Sequence, residues 1–204
     1  MTPVQALERG VRELGLTLPP DATGRLLSYV ALLEKWNRTY NLTAIRDPLE
    51  MVSHHLLDSL AVVPHLPMPP QGTLADIGSG GGLPGIALAI ARPQWRVSLN
   101  DSNQKKAAFL RQAVIELQLG NVQVHEGRVE QWRPAERFAV VIARAFAELN
   151  DFIALCSHLV APDGVLAAMT GVAPQTEACE RIALNVPLLD AQRHLVLCKA
   201  ERAQ

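Results

Sequence analysis

The sequence lacks any apolar run long enough to cross a bilayer, and it lacks the apolar stretch that a secretion signal needs near its start. Its early residues instead carry charges at Glu8, Arg9, Arg12, Glu13, Asp21 and Arg25. Internal repeats and low-complexity tracts are also missing, which excludes a solenoid and a disordered arm. We therefore expect a soluble, cytoplasmic protein that does not bind a membrane.

Cysteine is scarce and irregularly placed. The three cysteines, Cys156, Cys179 and Cys198, are odd in number and form no CxxC pair. This pattern argues against both a disulfide framework and a zinc ribbon. We expect all three side chains to be reduced thiols buried in the core.

The histidines give no support for a metal site either. His54 and His55 lie close to Asp58 in the sequence, but adjacent histidines on a helix point about 100° apart. The set of ligands is also incomplete for any common metal geometry. We therefore expect no metal ion.

No excess of one charge is present. The chain has 19 Lys and Arg against 20 Asp and Glu, a formal net charge of -1, so no overall positive field points to nucleic acid. Any contact with RNA must come from a local patch. The candidates are Lys105, Lys106 and Arg111 in an acid-free stretch, and Lys35, Arg38 and Arg46 nearer the N terminus. A solvated face without a partner is the alternative for both clusters.

The first third of the chain carries helical signals. Asp21 and Asp47 each stand where a helix cap is expected, and the helix after Asp47 should end by residue 64. Four prolines and a glycine within 64–72 then break regular structure. We expect an N-terminal helical extension over 1–68 and a core over 69–204, packed as one domain.

From residue 73 onward, short apolar runs alternate with helical segments. The runs predict strands at 74–77, 97–100, 122–125, 138–143 and 165–169. Because right-handed crossovers place helices on both faces of a parallel sheet, the alternation predicts a doubly wound α/β fold. Two closing runs, 186–189 and 195–199, predict an antiparallel C-terminal hairpin that turns around 190–193.

A glycine-rich loop follows the first predicted strand, at the place where doubly wound folds bind ligands. Asp76, Gly78, Gly80 and Gly82 match in full the acidic-x-Gly-x-Gly-x-Gly spacing of class I methyltransferases, which use S-adenosylmethionine. The GxGxxG spacing of dinucleotide enzymes fits only from Gly80, which is late relative to the strand. The loop therefore predicts a Rossmann-like class I methyltransferase core, and a nicotinamide oxidoreductase ranks last.

A second acid supports this assignment. Asp101 closes the second predicted strand, where a carboxylate can accept hydrogen bonds from both hydroxyls of a cofactor ribose. A role as the N-cap of the next helix is the alternative, although Ser102 or Asn103 could cap that helix instead.

Other segments carry a more specific pattern than the loop does. They are Lys-Trp-Asn at 35–37, Tyr-Asn-Leu-Thr at 40–43, His-Leu-Leu-Asp-Ser at 55–59, the loop at 76–85, Arg-Ala-Phe-Ala at 144–147 and Arg-His-Leu-Val at 193–196. Together they resemble the ribosomal RNA small subunit methyltransferase G family (RsmG, also called GidB). The resemblance spans about residues 25–200 and is specific, because general methyltransferases share only the glycine loop.

This resemblance implies transfer of a methyl group from S-adenosylmethionine to N7 of a guanine in a loop of 16S rRNA. It makes 16S rRNA and the small ribosomal subunit the expected partners. Separately, we expect the chain to be a monomer. It also implies that Gly78 and Leu83 line the cofactor and that Val129 and Glu130 flank its adenine. Arg144 would reach the cofactor side of the pocket.

The resemblance adds His55 to the candidate RNA-binding residues. Two positions depart from the family pattern. Thr170 stands where lysine is common, and His54 stands where a more permanent positive charge is frequent. Both departures concern contacts with RNA and leave the expected cofactor site unchanged.

The segment after the fourth predicted strand limits the acceptor atom. Enzymes that act on exocyclic amines carry Asn or Asp followed by Pro-Pro and an aromatic there, whereas this chain has Arg144 followed by Ala and Phe146. A cytosine C5 enzyme would need a cysteine nucleophile, and the nearest, Cys156, lies well into the next helix.

Guanine N7 fits what remains, because its lone pair is available at neutral pH and no general base is needed. Catalysis then depends on alignment of the reacting atoms. We expect Arg144 to orient the cofactor or the base, with a structural ion pair as the alternative. Phe146 is a candidate for stacking on the base, or else a core aromatic.

Two other classes of protein stay open. A small-molecule methyltransferase would share the loop and use the helical extension as a lid over a closed pocket, and the basic clusters argue against it. A non-catalytic ribosome assembly factor would bind the same adenosyl cofactor without turnover. Only an assay separates that class from an enzyme.

Overall fold

A seven-stranded sheet forms the centre of the molecule. The computed structural model describes residues 1–145, 148–172 and 178–199. The strands are β1 Thr73–Ile77, β2 Arg96–Asp101, β3 Val122–Glu126, β4 Phe138–Arg144, β5 Val160–Thr170, β6 Cys179–Leu184 and β7 Arg193–Lys199. Their order is β3-β2-β1-β4-β5-β7-β6, in which β1 to β5 run parallel and β7 runs antiparallel to both β5 and β6. The predicted doubly wound α/β fold is confirmed.

Helices precede the sheet and alternate with its strands. They are α1 Pro3–Glu13, α2 Ala22–Tyr40, α3 Pro48–Met51, α4 Asp58–Leu60, α5 Gly85–Ala91, α6 Gln104–Glu116 and α7 Leu149–Cys156. A π-helical stretch, Val52–Leu57, joins α3 to α4, and single 3-10 turns occupy Val63–His65, Val129–Gln131 and Ser157–Leu159. Within the ranges that the structure describes, no helix is both long and apolar enough to span a membrane.

The edge strand β6 lies elsewhere than expected. The other six strands stand where the sequence predicted them, but the prediction of a strand at 186–189 is wrong, because those residues belong to the connection between β6 and β7. Val186 is apolar because that connection folds back onto the core. β6 itself carries Glu180 and Arg181, and charges of this kind are typical of an edge strand and hide it from an apolar pattern.

Two of the three cysteines are joined. The expectation of reduced thiols at Cys179 and Cys198 is wrong, since their sulfur atoms form a disulfide between β6 and β7. The two residues face each other in the antiparallel register of β6 and β7. Because the sequence analysis predicted no strand at Cys179, it could not show this pairing. Cys156 is a free, buried thiol as expected, and burial raises its pKa to about 12.

The N-terminal helices are capped differently from one another. Asp47 Oδ1 accepts a hydrogen bond from the Leu49 amide at 2.9 Å, so the predicted start of α3 is confirmed. Asp21 makes no such bond at the start of α2, and its carboxylate instead lies 3.5 Å from the guanidinium of Arg25. The predicted cap at Asp21 is wrong, because a helical backbone at this residue turns the side chain away from the first amides.

The N-terminal helices share a hydrophobic core with one face of the sheet. Leu26 and Leu57 belong to the same buried cluster as Leu74 and Ile86, and a second cluster on the opposite face lies under α7. We call α1 to α4 and the residues between them the helical arm. The division between 1–68 and 69–204 stays a prediction, because one continuous core crosses it.

Candidate active site

The glycine-rich loop connects β1 to α5 at the carboxyl edge of the sheet. Gly78, Gly80 and Gly82 have φ angles of 65°, 57° and 89°, a left-handed range in which side chains with a Cβ are disfavoured. Three such turns in five residues reverse the chain within a short space. The glycines are therefore required by the backbone path of the loop.

The first two of these glycines also face open space. A Cβ built on Gly78 would meet no atom within 4 Å, and one on Gly80 would meet only a carbonyl oxygen at 3.8 Å. A Cβ on Gly82 would instead overlap the side chain of Ile86 in α5. We infer that Gly78 and Gly80 leave room for a ligand, whereas Gly82 is fixed by packing inside the protein.

Asp76 lies directly beneath the loop and is fully buried. Its Oδ2 accepts a hydrogen bond from the Gly85 amide at 2.9 Å, while its Oδ1 has no hydrogen-bond partner among the described residues. Burial raises the pKa of this carboxyl to about 6. An unpaired buried carboxylate oxygen is costly, and the ammonium group of an amino-acid ligand would satisfy it. The free acceptor oxygen of Asp76 therefore fits the ammonium group in the methionine part of S-adenosylmethionine.

Asp101 holds the loop from the neighbouring strand. Its Oδ2 accepts from the Gly80 amide at 2.9 Å, and its Oδ1 accepts from the Asn103 amide at 2.8 Å. Asn103, not Asp101, caps α6, since its own Oδ1 accepts from the amides of Lys105 and Lys106. Each carboxylate oxygen of Asp101 can accept a further bond, so the ribose contact stays a prediction.

The helical arm contacts the loop from the other side. The hydroxyl of Tyr29 in α2 donates to the carbonyl of Gly81, and Leu33 would crowd a Cβ at that glycine at 3.1 Å. Burial raises the pKa of Tyr29, which keeps the hydroxyl a donor. Sequence reasoning missed this contact. The one available signal was a tyrosine on the apolar side of α2, because a buried hydroxyl needs a partner.

Three residues predicted at the cofactor lie on both sides of the loop. Leu83 directly follows it and is 4% exposed. Val129 and Glu130 form the turn after β3, and this turn lies beside Asp101 because the Gly127 amide donates to the Asp101 carbonyl at 3.1 Å. The structure thus brings these residues to the side of the site where the ribose and adenine are expected. Their roles stay predictions.

Arg144 ends β4, next to the strand that leads into the loop. The pairing of Ile77 with Ala143 places it beside Gly78. Its Nη1 donates to the carbonyl of His54 at 3.1 Å and lies 3.4 Å from Asp58 Oδ2. The alternative of an ion pair is therefore present in the structure. The side chain is still 25% exposed, so a part of the guanidinium remains accessible to a ligand.

His55 is enclosed between the arm and the end of β4. Only 5% of it is exposed, and its Nε2 lies 2.8 Å from the hydroxyl oxygen of Thr43. Burial, followed by the charge of Arg144, lowers its pKa to about 4. The imidazole is therefore neutral at pH 7. Its predicted contact with RNA stays a prediction, and burial limits such a contact to a group that enters the site.

The two basic clusters lie on helices that pack together. Trp36 of α2 meets Phe109 of α6 edge to face, with ring centroids 5.5 Å apart. The predicted RNA-binding side chains lie on α2, on the loop after α2 and on α6. They are Lys35 and Arg38, Arg46, and Lys105, Lys106 and Arg111, respectively. Lys106 is half-buried and the other five are exposed. Arg38 pairs with Glu34 at 2.7 Å and Arg111 pairs with Glu126 at 2.9 Å, so their charges are partly offset.

Two other positions and the metal site considered in the sequence analysis remain. Thr170 ends β5, and its hydroxyl donates to the Val172 carbonyl at 2.9 Å. In the described ranges, no group of three His, Cys, Asp or Glu side chains could hold a metal ion. Phe146, the candidate for stacking on a base, lies outside the described residues.

Comparison with known sequences identifies close relatives. A family model described as "rRNA small subunit methyltransferase G" matches residues 23–203. A protein called ribosomal RNA small subunit methyltransferase G from Methylobacillus flagellatus is 53% identical, over 97% of this chain and 98% of that protein. A protein of the same name from Burkholderia thailandensis is 51% identical, over 97% of this chain and 91% of that protein.

Comparison with solved structures shows the fold. A SAM-dependent methyltransferase from Aquifex aeolicus has a TM-score of 0.56 at 15% identity, over 82% of this chain and 96% of that one. A mutant of the protein called MtNAS, solved in complex with S-adenosylmethionine, has a TM-score of 0.56 at 16% identity, over 84% of this chain and 73% of that one. At these identities the likeness establishes the class I methyltransferase fold and nothing finer.

Replacement of Gly80 tests the site of the cofactor. A valine there would place its branched side chain in the open space above the loop, and we expect affinity for S-adenosylhomocysteine to fall by at least about 30-fold, or about 2 kcal/mol. Gly15→Val is the matched control, because Gly15 also has a left-handed φ, 65°, and open space around it. Calorimetry should show normal affinity for the control and a similar loss of stability for both variants. Normal affinity in Gly80→Val would contradict the assignment.

Replacement of His55 tests its neutral state. Because its native pKa lies below the unfolded value of 6.5, the unfolded chain binds a proton between about pH 4 and 6.5 that the native chain does not. His55 thus lowers the free energy of unfolding by about 2 kcal/mol when the pH falls from 7 to 5. The raised pKa of Asp76 has the opposite effect in this window, but it is common to both proteins. Denaturant unfolding at both pH values should show that His55→Gln removes this loss, and an unchanged difference would refute a buried neutral histidine.

Proposed function

The chain belongs to the ribosomal RNA small subunit methyltransferase G family, and on this premise we propose that it methylates N7 of a guanine in a loop of 16S rRNA. The family resemblance inferred from the sequence is confirmed, and the chain is an S-adenosylmethionine-dependent methyltransferase. The cofactor is proposed to bind here because Gly78 and Gly80 face open space and one carboxylate oxygen of the neighbouring Asp76 is unpaired among the described residues.

The cofactor is proposed to lie across the carboxyl edge of β1 and β2. Asp76 would bind the ammonium group of the methionine part, and Gly78 and Gly80 would let the backbone approach it closely. Asp101, which already orients the Gly80 amide, would accept hydrogen bonds from the ribose. Leu83, Val129 and Glu130 would line the adenine side, and Arg144 would close the site from β4.

The proposed reaction requires little of the protein beyond alignment of the methyl donor with the N7 atom. When bound, S-adenosylmethionine supplies a methyl group on a positive sulfur; the N7 lone pair forms the new C–N bond as the C–S bond breaks and its electrons return to sulfur. No proton leaves N7, so no general base is needed. His55 is neutral at pH 7 because its pKa is about 4, so it would add no positive charge to a site that holds a positively charged methyl donor. Holding the reacting atoms in line can supply several kcal/mol, with about 7 to 11 as the upper range.

Arg144 is the proposed orienting residue. Two contacts, to the His54 carbonyl and to Asp58, fix one guanidinium nitrogen, so the planar group has a defined direction. Its remaining N–H groups suit the O6 acceptor of guanine or the carboxylate of the cofactor. A cation fixed beside the loop would thus hold base and cofactor in register.

The RNA is proposed to lie along the arm and α6. Lys35 and Lys105 are exposed on helices that pack against each other. Both side chains would therefore bind phosphates of the same RNA backbone. Tyr40, at the end of α2, is 42% exposed beside Trp36 with ring centroids 5.2 Å apart. Cations interleaved with an accessible aromatic are what single-stranded RNA requires.

We further propose where and in what form the protein acts. A cytoplasmic location follows from 16S rRNA in the small ribosomal subunit as the substrate. Action as a monomer is proposed because one chain supplies every residue assigned above to the cofactor, the base and the RNA.

Substitution of the target base tests the acceptor atom. In 7-deazaguanine a C–H group replaces N7, so the lone pair is absent while the Watson–Crick edge is kept. We expect RNA with this base at the target position to bind within about threefold of normal, well under 1 kcal/mol, and to accept no methyl group from labelled S-adenosylmethionine. The same replacement at a neighbouring guanine is the control and should leave methylation intact. Methylation of the analogue would disprove N7 as the acceptor.

A further inference from the structure

Asp58 links the helical arm to β4 and β7, the two strands that lie on either side of β5. It begins α4 and is 2% exposed. Its Oδ2 lies 3.4 Å from Nη1 of Arg144, and its Oδ1 accepts a hydrogen bond from Nε of Arg193 at 3.1 Å. Both oxygens of one buried carboxylate thus hold arginines that lie far apart in the sequence.

The two arginines lie at the same edge of the sheet. Arg144 ends β4, where it pairs with Met169 of β5. Met169 pairs in turn with Leu195 of β7. Because β7 runs antiparallel to β5, its first residue, Arg193, lies at the carboxyl edge, beyond Leu195. Arg193 therefore stands at the mouth of the site, separated from Arg144 by the width of β5.

The charges in this group do not cancel. One carboxylate faces two guanidinium groups, which leaves one unit of positive charge. The side chain of Asp58 is 3% exposed, while those of Arg144 and Arg193 are 25% and 27% exposed. The negative charge is therefore enclosed and the positive charge faces solvent, an arrangement suited to an incoming anion.

Arg193 is only partly occupied by the protein. Its Nε donates to Asp58, and its Nη1 donates to the Gln192 carbonyl at 2.9 Å. Its Nη2 makes no hydrogen bond to the residues that the structure describes. A guanidinium fixed at two nitrogens has already lost most of its conformational freedom. A ligand that accepts a hydrogen bond from the third nitrogen therefore costs little further conformational entropy.

We propose that Arg193 binds a phosphodiester group of the RNA strand next to the target base, and that Asp58 is the positioning residue that fixes it relative to Arg144. This inference rests on the proposed function, and it adds a phosphate contact at the acceptor side of the site. A phosphate accompanies every nucleotide, and planar guanidinium groups match its oxygens. The carboxylate of Asp58 thus sets the separation between Arg193, which holds the RNA strand, and Arg144, which orients the reactants.

Replacement of Arg193 tests the phosphate contact. Arg193→Ala should raise the KM for RNA about tenfold and reduce the slope of log affinity against log salt by about 0.7 to 0.9. Affinity for S-adenosylhomocysteine should stay within about twofold of normal. Arg193→Lys should restore the salt slope, because the charge is kept, but only part of the affinity, because the fork is lost.

Arg96→Ala is the matched control. Arg96 also begins a strand and pairs with one carboxylate, that of Glu136 at 3.1 Å, but it lies at the amino edge of the sheet. It should leave both the KM for RNA and the salt slope unchanged.

Replacement of Asp58 by Asn tests positioning. The change keeps the volume and adds one positive charge to the group, so attraction alone predicts tighter binding of RNA. A positioning role predicts instead that kcat falls about tenfold or more at saturating RNA, as misplaced reacting atoms do. It also predicts that Asp58→Asn raises the KM for RNA, and that the same change in Arg193→Ala raises it no further. A role in stability alone would lower Tm and leave kcat unchanged below it.

Three results would overturn the proposal. The first is an Arg193→Ala variant whose KM and salt slope match those of Arg96→Ala. The second is a loss of S-adenosylhomocysteine affinity without a change for RNA, which would make the cofactor carboxylate the ligand. The third is an Asp58→Asn variant with normal kcat. If the wild-type protein methylates no rRNA, the proposed function fails separately, and equilibrium binding of RNA to Arg193→Ala and to the wild-type protein still tests the contact.

Discussion

The left-handed path of the glycine loop is the constraint on which the rest of the site depends. Glycine permits this path but does not enforce it, because the same residues reach many other conformations in the absence of outside contacts. The loop is held by Asp101 at the Gly80 amide, by Asp76 at the Gly85 amide and by Tyr29 at the Gly81 carbonyl. Two of these groups come from neighbouring strands and the third from the helical arm. The arm thus fixes one side of the glycine loop.

Arg144 organises the electrostatics around this loop. Its charge lowers the pKa of His55 and opposes the effect of burial on the pKa values of Asp58 and Asp76. One cation therefore favours a neutral imidazole at His55 and ionised carboxylates at Asp58 and Asp76. This state would suit the proposed reaction, which involves no proton transfer. Asp58 contacts both Arg144 and Arg193, so it links the arm to β4 and β7.

Local patterns predicted much of the fold and the glycine-rich loop. Apolar runs between helical segments placed the five parallel strands, and the glycine spacing after Asp76 identified the loop, because both features depend on neighbouring residues. Contacts between distant residues could not be found in this way. Arg193 and Asp58 are 135 positions apart, and the link between Cys179 and Cys198 depends on the register of a charged edge strand. The contact of Tyr29 with Gly81 required the packing of the arm, which no spacing within α2 reveals.

The central claim is that this chain places one methyl group on N7 of one guanine in 16S rRNA. The most direct measurement is chemical mapping of N7-methylguanine, confirmed by mass spectrometry of rRNA fragments, in cells with and without the gene. The account predicts that a single N7-methylguanine in a loop of 16S rRNA disappears with the gene and returns when the wild-type protein is supplied. An unchanged set of N7-methylguanines in 16S rRNA, or the loss of a methyl group from a different atom, would contradict it.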